Sequence, residues 1–279
     1  MFKIIDKKML NDIVAKIDIF APLIAKKAKA GQFIILRINE FGERIPLTIN
    51  NYDKDNGTIT IIVQKIGKTT HLLAELNKGD TILDIVGPLG KPTEILKNKK
   101  IAIIGGGVGC AIAYPQAKAF WSNNCDVSII AGFRNKDLVI LEEEMKQISN
   151  KLYILTDDGS YGEKGFVTNK LNNLLVTKIP FDLILTIGPL GMMKAVADIS
   201  KKYNIPTVAS MNSLMIDGTG MCGCCRLKVN GKMRFSCVDG PDFDAHAVDF
   251  DEVIARNTIY RTQEDKKLGD HICRLEATR

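Results

Sequence analysis

The chain has 279 residues, 46% of them apolar and 25% charged, with a net charge of +6. That composition excludes a disordered or fibrous polypeptide and leaves room for two ordinary domains. Its lysines are scattered, with no basic block interleaved with aromatics, which argues against nucleic acid as a partner. The start, Met-Phe-Lys-Ile-Ile-Asp-Lys-Lys, is studded with charge, unlike an export signal, and the uncharged run from Ile101 to Ala117 is too short and too glycine-broken to span a membrane. A cytoplasmic protein without membrane association is expected. In a reducing compartment an odd cysteine count, with four of the seven crowded between 222 and 237, points to metal chemistry rather than disulfides.

In chain order, residues 1–97 carry short β-rich runs separated by turns: Phe33 to Ile38, Thr58 to Gln64 and Thr81 to Val86. An antiparallel β-barrel fits that spacing. From residue 98 to 215 apolar strands, near 100–104, 126–131, 152–156, 182–187 and 206–210, alternate with helix-like segments, the pattern of a doubly wound parallel-sheet α/β domain. After Met215 this rhythm stops, and residues 216–279 form a small C-terminal lobe with an acidic tail from Asp239 that covers the lobe, meets a partner or forms a solvated helix.

The first motif is Glu43-Arg-Ile-Pro-Leu-Thr-Ile49. Strand alternation sends Arg44, Pro46 and Thr48 to one face around Leu47, where a guanidinium fork suits a pyrophosphate and a hydroxyl suits a flavin ring nitrogen or ribityl oxygen. Gly67-Lys-Thr-Thr70 then follows a strand and opens a helix, a second set of backbone amides for phosphate. In Ile101-Ala-Ile-Ile-Gly-Gly-Gly-Val-Gly-Cys110, glycines leave a buried strand where a helix N-terminus can meet a dinucleotide, although Cys110 stands where G-x-G-x-x-G has its last glycine. Thr156-Asp-Asp-Gly159 and Ile187-Gly-Pro-Leu-Gly-Met-Met193 fall at the same sheet edge. There Asp157 and Asp158 can bond ribose hydroxyls and repel a 2′-phosphate, favouring NAD(H) over NADP(H), while Arg134 is placed to counter that repulsion.

Together with Gly87-Pro-Leu-Gly90, these motifs resemble the ferredoxin-reductase-type FAD and NAD(H)-binding family over nearly all of residues 1–215. The resemblance implies FAD at Arg44, Pro46, Leu47 and Thr48, its pyrophosphate at Gly67, Thr69 and Thr70, and the nicotinamide nucleotide at Gly106, Gly107, Val108, Gly109, Gly188, Pro189 and Met192. Pro115 lies later than the proline that the family often places after its glycine turn.

For the cysteines, iron–sulfur, zinc, disulfide and plain buried thiols compete. A plant-type [2Fe–2S] site reads C-x4-C-x2-C with a distant fourth cysteine. The chain offers Asp217-x4-Cys222-x2-Cys225-x11-Cys237, a carboxylate replacing the first thiolate. Glycines 218, 220 and 223 let amides approach the cluster's sulfides, which favours a cluster over zinc. Cys224 is left without a ligand role and is the rival of Asp217. The three histidines, His71, His246 and His271, have no catalytic context.

Nicotinamide gives two electrons as hydride and an iron–sulfur centre takes one, so a flavin between them completes an electron-transfer module. A reductase ending in such a cluster resembles two electron-transfer subunits, that of NAD-linked dihydroorotate dehydrogenase and the small subunit of the bifurcating NADH-dependent reduced ferredoxin:NADP+ oxidoreductase. Asp217-Gly-Thr-Gly-Met-Cys-Gly-Cys-Cys-Arg226 looks like the second, since the dihydroorotate type normally has cysteine at the aspartate position. That resemblance implies a larger NADP(H)-binding flavoprotein partner with further clusters, and ferredoxin indirectly. The other readings are a zinc-stabilised NAD(H)-sensing interaction protein and a self-contained diaphorase.

Overall fold

The computed structural model describes residues 1–177 and 179–277, the side chains of 271–277 excepted. The N-terminal part holds β1 (Phe2–Asn11), β2 (Val14–Phe20), α1 (Pro22–Lys27), β3 (Phe33–Arg37), β4 (Ile45–Thr48), β5 (Asn51–Asp53), β6 (Thr58–Gln64), α2 (Lys68–Glu75), β7 (Thr81–Ile82) and β8 (Asp84–Leu89). Two antiparallel sheets, ordered β5-β6-β2-β1-β7 and β4-β3-β8, close around one core in which Ile17, Ile34, Ile59 and Ile61 are fully buried. The run from Thr81 to Val86, expected as one strand, is divided at Leu83, whose amide bonds Ile38 O at 3.0 Å; β7 pairs with β1 and β8 with β3. A corner between two sheets needs such a break. The sequence gives little sign of β1, because only Ile4 of its ten residues is buried and the period-2 signal vanishes.

The middle part runs β9 (Lys100–Gly106), α3 (Gly109–Trp121), β10 (Asp126–Phe133), α4 (Glu142–Gln147), β11 (Lys151–Thr156), β12 (Glu163–Lys164), α5 (Val167–Val176), β13 (Leu183–Ile187), α6 (Leu190–Lys202) and β14 (Thr207–Ser210). Its strands pair in parallel in the order β12-β11-β10-β9-β13-β14. The chain therefore winds outward from β9, returns, and continues from β13, leaving a switch point between those two strands where loops diverge and a ligand crevice opens. Each of Ile101, Ile103, Ile104 and Val127 is fully buried because both faces are covered, with α3 over one and α5 over the other. Val14 and Ile62 of the barrel enter the α3-side core, so barrel and sheet share apolar packing.

The last part contains a hairpin, β15 (Arg226–Val229) with β16 (Lys232–Phe235), then β17 (Asp242–Asp244), α7 (Phe250–Asn257) and α8 (Arg261–Ala277). The strand pattern does not end at Met215 after all: β17 pairs antiparallel with β14 as the seventh strand of the central sheet. Three residues are too few to show a period. The acidic tail does reach the cysteine segment, since Arg256 of α7 donates to Cys224 O at 3.2 Å. Among the described residues no helix is long and apolar enough to cross a membrane.

Candidate functional site

The switch point opens into a cavity of about 810 Å³, walled by all three parts of the chain. Pro46, Leu47, Thr48 and Thr70 line it from the barrel, Gly106, Gly107, Val108 and Gly109 from the turn after β9, and Gly188, Pro189 and Met192 from the turn after β13. Two of the glycines have a steric reason. A Cβ on Gly109 would lie 2.5 Å from Ile187 O, and one on Gly106 would lie 2.6 Å from Met192 Sδ. The close approach of helix to strand thus falls at Gly109, one residue before the position the motif assigns, and Cys110 fills the space beside Gly105 instead. Cys110 is buried, and burial pushes its thiol up to about 12, so it is an inert packing group.

Helix α2 begins at Lys68 behind Gly67, where an added side chain would meet nothing within 4 Å. Thr70 Oγ1 accepts from the amides of Ile66 and Gly67, at 2.9 and 3.0 Å, and so braces the turn. The amides of residues 68–70, lacking acceptors within the helix, are the donors a phosphate would meet. Thr69 is buried and its hydroxyl donates to Glu43 at 2.9 Å, which leaves only its amide for a ligand. Arg44 lies outside the cavity wall, beside Asp84 at 3.5 Å on the surface. Asp157 lines the cavity together with Arg134, whereas Asp158 does not: its carboxylate accepts from the Ser160 hydroxyl and amide, which hold it below the usual carboxylate range. The cavity volume suits a bound organic cofactor. With apolar walls at the barrel, open backbone donors at α2 and a glycine turn at β9, the residues present fit FAD beside a nicotinamide nucleotide.

The cysteine segment sits directly behind this cavity. Cys225 and Cys237 are buried with their sulfurs 3.2 Å apart, packed on Phe33 and Ile35 of β3 and on Met215. Burial, followed by the Cys225 thiol, pushes the Cys237 thiol up to about 12, opposed by the Gly220 amide. Metal coordination would reverse that preference, because only the thiolate ligates. Cys222 is exposed, and Cys224 is half-buried with its thiol raised by burial and by the neighbouring Cys222 thiol. Asp217 accepts from the amides of Thr219 and Cys222, each at 2.7 Å, and the Thr219 bond leads in lowering its pKa. Gly218, Gly220 and Gly223 all adopt positive φ around this turn. Among the described residues no three side chains converge as metal ligands, yet the donor chemistry fits an iron–sulfur cluster: two paired thiols, a third at the rim, and a glycine-rich turn beside them.

Phe33, Met215, Ser210 and Pro241 also line the cavity. Nothing in the sequence marks them, since Phe33 and Met215 read as ordinary core residues, and only the three-dimensional path of β3 and β14 brings them here. Among the histidines, His71 lies in α2, His246 bonds the Ser200 hydroxyl at 2.9 Å, and the His271 side chain lies outside the described residues.

Residues 103–198 match the oxidoreductase NAD-binding domain family, and residues 212–249 match the iron-sulfur cluster binding domain of dihydroorotate dehydrogenase B. The chain is 43% identical over 264 residues to the dihydroorotate dehydrogenase B (NAD(+)) electron transfer subunit homolog of Thermotoga maritima, covering 91% of this chain and 93% of that protein. It is 33% identical over 230 residues to the dihydroorotate dehydrogenase B (NAD(+)) electron transfer subunit of Fusobacterium nucleatum, covering 79% and 87%. A chain in the solved structure of the NADH-dependent reduced ferredoxin-NADP oxidoreductase, studied for flavin-based electron bifurcation, superimposes with a TM-score of 0.92 at 40% identity, covering 98% of both chains. Fold and site define an electron-transfer oxidoreductase subunit of the ferredoxin-reductase-like class, with NAD-binding and iron–sulfur modules. Within that class the chain belongs to the family of dihydroorotate dehydrogenase B electron transfer subunits and their homologues.

Two outcomes follow from this geometry. Gly109→Ala drives a methyl into the β13 backbone at the crevice and is expected to weaken NADH binding by at least about tenfold, read by fluorescence titration. The lowered pKa of Asp217 makes its bracing of the turn complete above the ordinary value of 3.8 and lost as the pH falls through the folded-state value. In metal-free protein the Thr219 and Cys222 amide resonances are therefore expected to shift with a midpoint below 3.8; a midpoint at or above it means the two bonds do not form.

Proposed function

We propose that the chain is the NAD(H)-linked subunit of a two-subunit oxidoreductase, passing electrons between NAD(H), FAD and a [2Fe–2S] cluster and on to a larger NADP(H)-binding flavoprotein, as in a bifurcating NADH-dependent ferredoxin:NADP+ oxidoreductase. Ferredoxin meets the partner rather than this chain. The observation that carries the reading is a shared wall: Phe33 and Met215 line the cavity and also pack on Cys225 and Cys237. One layer of side chains separates the flavin site from the cluster site. The match over 98% of both chains to the ferredoxin-NADP oxidoreductase chain supports that assembly, and the aspartate at 217 favours it over a dihydroorotate-linked one.

The division of labour is a barrel of residues 1–97 for FAD, a sheet domain of 98–215 for NAD(H) and a lobe of 216–279 for the cluster. Bound FAD supplies two-electron exchange with nicotinamide and one-electron exchange with the cluster. Each NADH oxidised would yield NAD+, one proton and two electrons, and a bound cluster would accept those electrons singly. Pro46, Leu47 and Thr48 would hold the flavin, the amides of Thr69 and Thr70 behind Gly67 would hold its pyrophosphate, and Arg44 would join them by leaving its exposed pairing with Asp84. Gly106, Gly107, Val108 and Gly109 would hold the nucleotide together with Gly188, Pro189 and Met192. Asp157 in the wall selects NAD(H) by repelling a 2′-phosphate, and Asp158 acts only by shaping the same turn. The cluster ligands are Asp217, Cys222, Cys225 and Cys237.

Two measurements test this. Low-temperature electron paramagnetic resonance of anaerobic protein is expected to show a rhombic [2Fe–2S] signal on adding NADH; iron-free protein holding zinc would end the electron-transfer reading. Iron analysis is expected to find cluster depleted in Asp217→Ala and full in Cys224→Ser, and the opposite pattern transfers the ligand role to Cys224.

A further inference from the structure

The linker between β8 and β9, helix α3, the end of β14 and the start of β17 meet at one carboxyl group. Thr93 Oγ1 donates to Asp242 Oδ2 at 2.6 Å, and Gln116 Nε2 donates to Thr93 Oγ1 at 2.8 Å and to the two Asp242 oxygens at 3.4 and 3.2 Å. Both donors are neutral, and Gln116 is fully buried. Although Asp242 itself retains some exposure, desolvation around its inward-facing carboxyl raises its pKa against these hydrogen bonds.

Backbone bonds extend the joint on both sides. Lys91 N donates to Gly240 O at 2.7 Å, Met211 N to Pro241 O at 2.8 Å, and Thr93 N to Ala30 O at 3.0 Å. Gly90 adopts a φ of +75°, and a Cβ there would lie 2.8 Å from Phe33 and 3.1 Å from Pro241. The segment leaving Cys237 is therefore tied within five residues to the barrel linker, to α3 and to the sheet. Pro241 and Ser210, on either side of the carboxyl, stand in the cavity wall. A hydrophobic contact between the cluster segment and β3 can slide, whereas this network has fixed donors and one acceptor group, and it sets the register of the lobe against the cavity.

We propose that Asp242, through Thr93 and Gln116, is a positioning residue that fixes the cluster-bearing segment at its working distance from the flavin cavity. The proposal rests on the reading of the chain as a path from NAD(H) to the cluster. A second detail sharpens it: Gln116 Oε1 is buried without a partner among the described residues. An amide turn of Gln116 would present that oxygen to the –NH₂ of an asparagine at 242, so Asp242→Asn keeps the joint while Asp242→Ala and Thr93→Val open it.

The test uses the full chain with its cofactors, and two readouts. Rapid mixing with NADH resolves bleaching of the flavin from reduction of the cluster, followed by freeze-quench paramagnetic resonance. Thr93→Val and Asp242→Ala are expected to leave flavin bleaching within about twofold of native while cluster reduction slows at least about tenfold, and Asp242→Asn to match native, because small misplacements are amplified in rate. Deuterium exchange at the Lys91 and Met211 amides is expected to rise at least about tenfold in the first two variants and to stay native in the third. Cluster reduction at the native rate in both opened variants overturns the proposal, and so does a parallel fall in bleaching and cluster reduction, which marks a merely structural joint. Should native protein show no NADH-driven cluster reduction, the functional reading fails, and unchanged exchange in the opened variants would independently remove the joint.

Discussion

Cys225 and Cys237 lie against Phe33 and Ile35 of a barrel strand, Phe33 stands at the same time in the wall of the cofactor cavity, and the rest of the architecture is arranged around that contact. Electron transfer demands proximity, and proximity between modules far apart in sequence demands packing that leaves no gap. A strand is well suited to this, because the alternate residues Ile34 and Leu36 anchor it in the barrel core while Phe33 and Ile35 face the cysteines. Barrel, sheet and lobe are thus three readings of one constraint: nucleotide, flavin and cluster sites must share walls.

The glycines show how the constraint is met locally. At Gly109 the helix following β9 approaches the backbone of β13 more closely than any side chain allows, which narrows the switch point around the nucleotide turn. Around the cysteines, Gly218, Gly220 and Gly223 take positive φ, while Asp217 ties the Thr219 and Cys222 amides into a tight loop. Both devices bring backbone rather than side chain toward a ligand. The polar joint at Asp242 does the complementary work, using side chains of opposite parts to hold segments rather than cofactors.

Much of this was legible before any fold was known. The central parallel strands β9, β10 and β13 announce themselves because both faces are buried, so each is a nearly continuous apolar run with glycine at or beside its end. The turns at Gly106 and Gly188 and the cysteine spacing are local in sequence and carry their chemistry on their surface. What stayed hidden is non-local. Strand β1 buries one residue in ten, β17 is three residues long, and Phe33, Met215, Ser210 and Pro241 acquire meaning only from what faces them. Arg44 illustrates the reverse case, a motif residue whose side chain rests on Asp84 outside the cavity wall. Spacing along a chain specifies which atoms are available, not which wall they join.

The antiparallel pairing of β17 on β14 also bears on how such a chain can be assembled and divided. Without β17 the central sheet would end in β14, a short, largely buried strand with a free row of amides and carbonyls, the kind of edge that recruits other chains. The cluster lobe therefore doubles as the guard of the nucleotide domain's exposed margin. During synthesis that margin stays open until residue 244 has emerged, and a gene fragment ending at the last parallel strand would encode a sticky module rather than an independent one. Metal centre and nucleotide fold are in this sense inherited as a unit, held together by solubility as much as by electron flow.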